Sequence, residues 1–99
     1  PYVTGVGGTR LVIKDGKISS ETAWNNGDGR GATGGGISPD PVPDYQSGLK
    51  LPDSANKTGI PGRGVPDIAG NADAVTGYRI RVGGSEAVVG GTSAAAPLY

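Results

Sequence analysis

The sequence predicts a loop-rich α/β structure with two β-hairpins and long Gly/Pro-rich loops, and three observations predict it. Glycine (20) and proline (8) punctuate the 99 residues between short β-branched runs, the way turns punctuate strands. Asp15-Gly16 and Gly83-Gly84 each stand between two β-favouring runs, as two-residue hairpin loops do. Near the end, Ala94-Ala95-Ala96 follows Gly90-Gly91, so strong helix formers succeed a flexible strand end.

Residues 2–6 read as a short buried strand, with Gly5, Gly7 and Gly8 marking a close backbone approach or a bulge at its end. Residues 9–14 and 17–24 then flank Asp15-Gly16, which supplies the positive φ of a type I′ turn. Residues 25–36 carry Asn26-Gly27, Asp28-Gly29 and Gly34-Gly35-Gly36 and form a loop, a candidate to face a substrate. Pro39, Pro41 and Pro43 fall at every second position, which forbids helix and favours extended backbone up to a short helical turn over 44–49. Residues 52–64 are a solvated loop, in which Asn56-Lys57-Thr58 is a glycosylation sequon for a eukaryotic source. Tyr78, Ile80 and Val82 alternate with Arg79 and Arg81, and Ala87, Val88 and Val89 follow the glycine pair. That spacing predicts a second, half-buried hairpin with the two arginines on its wet face. The last helix stops about one turn after it starts, too short to be stable alone, so the chain reads as truncated there.

Composition bounds the rest. At 99 residues the chain is one domain or part of one. An apolar fraction of 34%, with no Phe, no Met and one Trp, leaves little to fill a core. Gly and Pro together make 28 of 99 residues, which reaches the range where disorder competes. Zero net charge, with glycines interleaved among strand formers, argues for structure instead. Nine basic residues balanced by nine acidic ones, with no basic run, exclude the electrostatic footprint of a nucleic-acid or anionic-membrane partner. The sequence contains neither a membrane-spanning apolar run nor a signal peptide. Cysteine and histidine are both absent, so any chemistry falls to carboxylates, hydroxyls and backbone.

One constellation carries chemistry. In Val88-Val89-Gly90-Gly91-Thr92-Ser93-Ala94-Ala95-Ala96-Pro97 a serine sits between glycines and the first turn of a helix. Glycines admit a substrate backbone, and the unpaired amides of the helix start stabilise negative charge near the Ser93 hydroxyl or on a tetrahedral oxyanion. The competing reading is that Thr92 or Ser93 only caps the helix. Gly90, Gly91 and Thr92 are the candidate substrate contacts, because an extended peptide can pair with exposed amides there. Asp67 and Asp73 read as turn-capping residues and Arg63 as a structural partner for either of them. Trp24 and Tyr78 read as hairpin packing residues.

The string Gly91-Thr92-Ser93-Ala94-Ala95-Ala96-Pro97 resembles the nucleophile motif of the subtilisin-like superfamily, in which the serine opens a buried helix. Ala94 and Leu98 stand where the subtilisin branch usually has Met and His. With histidine absent, the resemblance is to the sedolisin family of serine-carboxyl peptidases, within it to the kumamolisin-like enzymes. Pro1-Tyr2-Val3-Thr4, Val6-Gly7-Gly8-Thr9-Arg10-Leu11 and Glu21-Thr22-Ala23-Trp24-Asn25 are similar to that family in order, as is Thr33-Gly34-Gly35-Gly36-Ile37-Ser38, although Pro39 replaces a common Arg. The stretch from Gly62-Arg63-Gly64-Val65-Pro66-Asp67 through Ile68-Ala69-Gly70-Asn71-Ala72-Asp73 to Thr76-Gly77-Tyr78 is close to its signature, with Ala74 where Pro is usual.

The resemblance implies a partial peptidase catalytic domain over residues 1–99, from a subtilisin-like fold with a mostly parallel sheet, truncated just after the nucleophile. It implies an acid-active secreted endopeptidase in which Ser93 is the nucleophile. Its Glu and Asp partners, its oxyanion Asp and its calcium ligands would all lie outside this chain, so the chain itself holds no metal or cofactor. The partners implied are a protein or peptide substrate and the remainder of the catalytic domain. Two alternatives stand beside it: an inactive homologue or extracellular β-rich binding module, and a subtilisin-type protease with its histidine upstream.

Overall fold

A computed structural model describes residues 2–55 and 59–99; the sequon at 56–58 lies outside the described residues. The chain forms β1 (Val6–Lys14), β2 (Lys17–Ala23), β3 (Gly36–Ile37), β4 (Gly64–Val65), β5 (Ile68–Asn71), β6 (Tyr78–Val82), β7 (Ser85–Val89) and α1 (Thr92–Ala95). Single 3-10 turns lie at Asp44–Gln46, Ala74–Thr76 and Ala96–Leu98. The main sheet has three strands in the order β2-β1-β5. β1 serves both neighbours: Val6–Thr9 pairs parallel with Ile68–Asn71, and Thr9–Lys14 pairs antiparallel with Lys17–Ala23. The sheet is therefore mixed. The expectation of a mostly parallel sheet is corrected, because β1–β5 is the one parallel pairing among the described strands and the other three pairings are antiparallel.

Asp15 and Gly16 take φ of 51° and 72°, the left-handed pair that lets a two-residue turn follow the right-handed twist of its strands. The register shifts between Val12 and Ile13, a bulge that leaves Ser19 unpaired. The buried strand expected over 2–6 is not there. Tyr2 and Val3 are exposed and the strand starts at Val6, because its parallel partner begins opposite that residue. Gly7 and Gly8 lie inside β1 and do not end it. A side chain on Gly8 would meet Ala72 Cβ at 2.7 Å and the Trp24 ring at 3.1 Å, so the close approach is real but internal.

The second hairpin, β6–β7, pairs Tyr78 with Val89 and Val82 with Ser85. It is not half-buried: Ile80 and Val82 are exposed as well as Arg79 and Arg81. The fully buried apolar residues are small, Ala72 and Ala95, and the largest fully buried side chain is a carboxylate, Asp73.

Candidate active site

β7 runs into Gly90 and Gly91, and α1 opens at Thr92. Gly91 is the residue before the helix, with φ 104° and ψ 156°, a conformation open essentially to glycine alone. It has no side chain, so no hydroxyl caps this helix. Thr92 and Ser93 lie within the first turn, and the capping role weighed for them is not the one they take. Ser93 is exposed, and its hydroxyl makes no hydrogen bond among the described residues. Its amide lies in the first turn, where no intrahelical acceptor exists.

α1 and the 3-10 turn after it lie on the main sheet. A side chain on Gly70 would meet Ala95 Cβ at 3.6 Å and Leu98 at 3.4 Å, and the Tyr99 hydroxyl donates to the Ala69 carbonyl at 2.7 Å. Thr92 turns its methyl toward Gly8 of β1, 3.3 Å from where a Cβ would stand. Gly90 and Gly91 rest on the turn that follows β5. The Gly91 N–H donates to the Ala72 carbonyl at 2.6 Å, and a Cβ on Gly90 would fall 2.5 Å from Ala74 N and 2.6 Å from Ala72 O.

The two aspartates hold turns and strand ends, each through its own set of partners. Asp67 accepts from the Gly5 N–H at 2.7 Å, from Tyr45 and Gln46, and from the Arg63 guanidinium, with which it is paired. The Gly5 amide holds its carboxyl below the usual range; desolvation opposes this, and Arg63 and Tyr45 add to it. Asp73 caps the 3-10 turn Ala74–Thr76 by accepting from the Val75 N–H at 2.9 Å, and accepts from the Asn26 side chain at 2.9 Å. Its other oxygen takes no hydrogen bond and faces Arg10 Nε at 3.3 Å. Burial pushes the Asp73 carboxyl up, but the Val75 amide, Asn26 and Arg10 together outweigh it and the balance is downward. Arg63 thus pairs with Asp67; the cation beside Asp73 is Arg10, which the sequence did not suggest.

Trp24 and Tyr78 pack where hairpins meet the sheet. The Trp24 ring lies against Gly8 and Gly31, with its indole N–H buried and unpartnered among the described residues. The Tyr78 hydroxyl donates to the Asn71 carbonyl at 2.6 Å, tying β6 to the end of β5. A cavity of about 720 Å³ is lined by Ile37, Gln46, Leu49, Leu51 and Pro61 and includes none of Gly90–Ser93.

No family model matches the chain. Over 100 residues it is 53% identical to kumamolisin of Bacillus sp. (strain MN-32), covering all of this chain and 18% of that protein. It is 41% identical over 106 residues to sedolisin of Pseudomonas sp. (strain 101), covering 17% of that protein. The solved structure of Pseudomonas sedolisin, a serine-carboxyl proteinase complexed with two molecules of pseudo-iodotyrostatin, superposes with a TM-score of 0.76 at 41% identity. That match covers 99% of this chain and 26% of that one. The chain belongs to the sedolisin family. It spans about a fifth of the length of the curated relatives it matches. Among the described residues, no group of three or more His, Cys, Asp or Glu side chains converges. The described helices include none long and apolar enough to cross a membrane.

Proposed function

We propose that the full-length protein is an acid-active serine-carboxyl endopeptidase, secreted from the cell, of whose catalytic domain residues 1–99 form an incomplete part. The observation that carries the proposal is Ser93: an exposed hydroxyl without a hydrogen bond among the described residues, on a first helical turn whose cap is a glycine. A serine kept for capping would have its oxygen engaged by a backbone amide. Kinship with the serine-carboxyl proteinase sedolisin supports the same reading.

In this mechanism Ser93 Oγ attacks the scissile carbonyl while its proton passes to a glutamate brought by another part of the protein, itself backed by an aspartate. The tetrahedral oxyanion is held by a further aspartic acid from outside the chain and by an amide at the helix start. The leaving amine takes the proton, and water then releases the acyl group from Ser93. A glutamate of ordinary pKa, ~4.3, still accepts protons in acid where imidazole, near ~6.5, is already charged, so the working range follows from the base. Gly90, Gly91 and Thr92 flank the substrate in this scheme. The Gly91 N–H is already donated to Ala72, so a peptide would meet the two glycines through other backbone atoms. Calcium in the full-length protein would be held by residues outside this chain.

The test is Ser93→Ala in the full-length protein, assayed on a peptide substrate near pH ~4 and near pH ~7. Loss of turnover by at least about 10⁴-fold is expected, with wild-type activity greatest on the acid side. Undiminished cleavage by the variant would overturn the proposal, and an optimum near neutrality would instead point to a histidine base.

A further inference from the structure

Three segments far apart in the sequence meet at one buried carboxylate beneath the nucleophile's approach. Asp73 is fully buried, whereas Arg10 from β1 is partly exposed, its side chain 41% accessible. Asn26, in the loop after β2, donates to Asp73 at 2.9 Å and accepts from Arg10 Nη1 at 3.4 Å, closing a triangle of polar side chains. The backbone on either side of Asp73 is the seat of Gly90 and Gly91. Ala72 O takes the Gly91 N–H at 2.6 Å, and Ala74 N stands where a Gly90 side chain would have to be. The same turn is anchored to β1, since the Ala72 and Asp73 amides donate to Thr9 O at 2.8 and 3.2 Å. Behind Ser93, then, α1 rests on the sheet, but the angle at which the chain enters α1 is set by the 72–74 turn.

We infer that Asp73, held by Arg10 and Asn26, is a positioning residue for Ser93: it fixes the seat of Gly90–Gly91 and so aims the hydroxyl two residues further on. The inference rests on the assignment of Ser93 as nucleophile. Asp73 touches neither substrate nor the reacting atoms. Its contribution is to hold the attacking oxygen within the narrow distance and angle that acyl transfer demands, where a misplacement of about 1 Å can cost on the order of 10²-fold in rate. The substitution Asp73→Asn would retain an acceptor for the Val75 amide while losing the charge that faces Arg10.

The experiment uses the full-length protein with five variants: Ser93→Ala, Asp73→Asn, Arg10→Gln, Arg10→Lys and Asp67→Asn. The last removes a comparable carboxylate whose bonds reach Gly5, Arg63, Gln46 and Tyr45 and none of Gly90–Ser93. Kinetics are read where circular dichroism shows each variant folded, together with the rate at which a serine-directed fluorophosphonate labels the protein. The expected result is a fall in kcat of about tenfold or more for Asp73→Asn, with KM within about twofold and labelling slowed in proportion. Arg10→Gln should show a smaller fall of the same kind, Arg10→Lys should restore most of it, and Asp67→Asn should lose stability without losing kcat. If Asp73→Asn fails to fold, Arg10→Gln decides. Folded Asp73→Asn or Arg10→Gln with kcat and labelling no worse than Asp67→Asn would overturn the inference. An active Ser93→Ala would instead remove the peptidase reading beneath it.

Discussion

At the residue scale, the junction before Ser93 uses two glycines for two different reasons. Gly91 adopts a backbone conformation that a Cβ makes strained, whereas Gly90 has no room for one against Ala72 and Ala74. Gly91→Ala should cost about 1–3 kcal/mol through backbone strain. Gly90→Ala should cost about 1–3 kcal/mol through overpacking against rigid backbone. Urea midpoints of the full-length protein measure both, and a loss under about 0.5 kcal/mol at either position would contradict the geometry. Ser93 and its glycines are legible in the sequence because the string is local. The turn-holding roles of Asp67 and Asp73 are legible too, since an aspartate beside Ala or Pro in a turn has few other uses. The Arg10–Asn26–Asp73 triangle is not, because it forms only when β5 pairs with β1 and brings three distant segments together.

At the element scale, the β1–β2 hairpin was readable from Asp15-Gly16 alone, because turn chemistry is local. β5 was not: Ile-Ala-Gly-Asn has little strand preference, and it is a strand because β1 supplies a parallel partner along its whole length. Residues 2–6 are the converse case: their composition favours β structure, but no partner strand lies opposite them before Val6. Gly16 has open space around it but φ of 72°, so Gly16→Val tests backbone conformation without packing. It should lower stability by roughly 1–2 kcal/mol, while Asp15→Asn should leave the denaturation midpoint unchanged or slightly raised. Equal midpoints for Gly16→Val and the wild type would remove the turn assignment.

At the scale of the whole molecule, the chain is open. Its accessible surface is 7255 Å², against about 5,200 Å² for a compact monomer of this mass. Its radius of gyration is 15.9 Å, where about 13 Å is usual for the length. Expressed alone, the 99 residues should therefore show no cooperative thermal transition and bind a hydrophobic dye. A sharp two-state melt would refute that expectation. Acid should act through Asp67 and Asp73. Both carboxyls lie below their ordinary value of 3.8 in the folded state, so each stabilises the fold above that pH and loses its contribution as pH falls through the folded value. Stability of the full-length protein should then hold down to about pH 4 and decline below it, and Asp67→Asn or Asp73→Asn should flatten that decline. The bulge at Val12/Ile13 separates the outer end of the β1–β2 hairpin from the base, where Thr9 and Arg10 pair with Ala23 and Thr22. Spare length at the Asp15-Gly16 tip can be absorbed there before it reaches the Arg10 contacts, and the tip residues are exposed. An epitope or fluorophore spliced into that tip would report on the protein without disturbing the seryl oxygen at the opposite end of the chain.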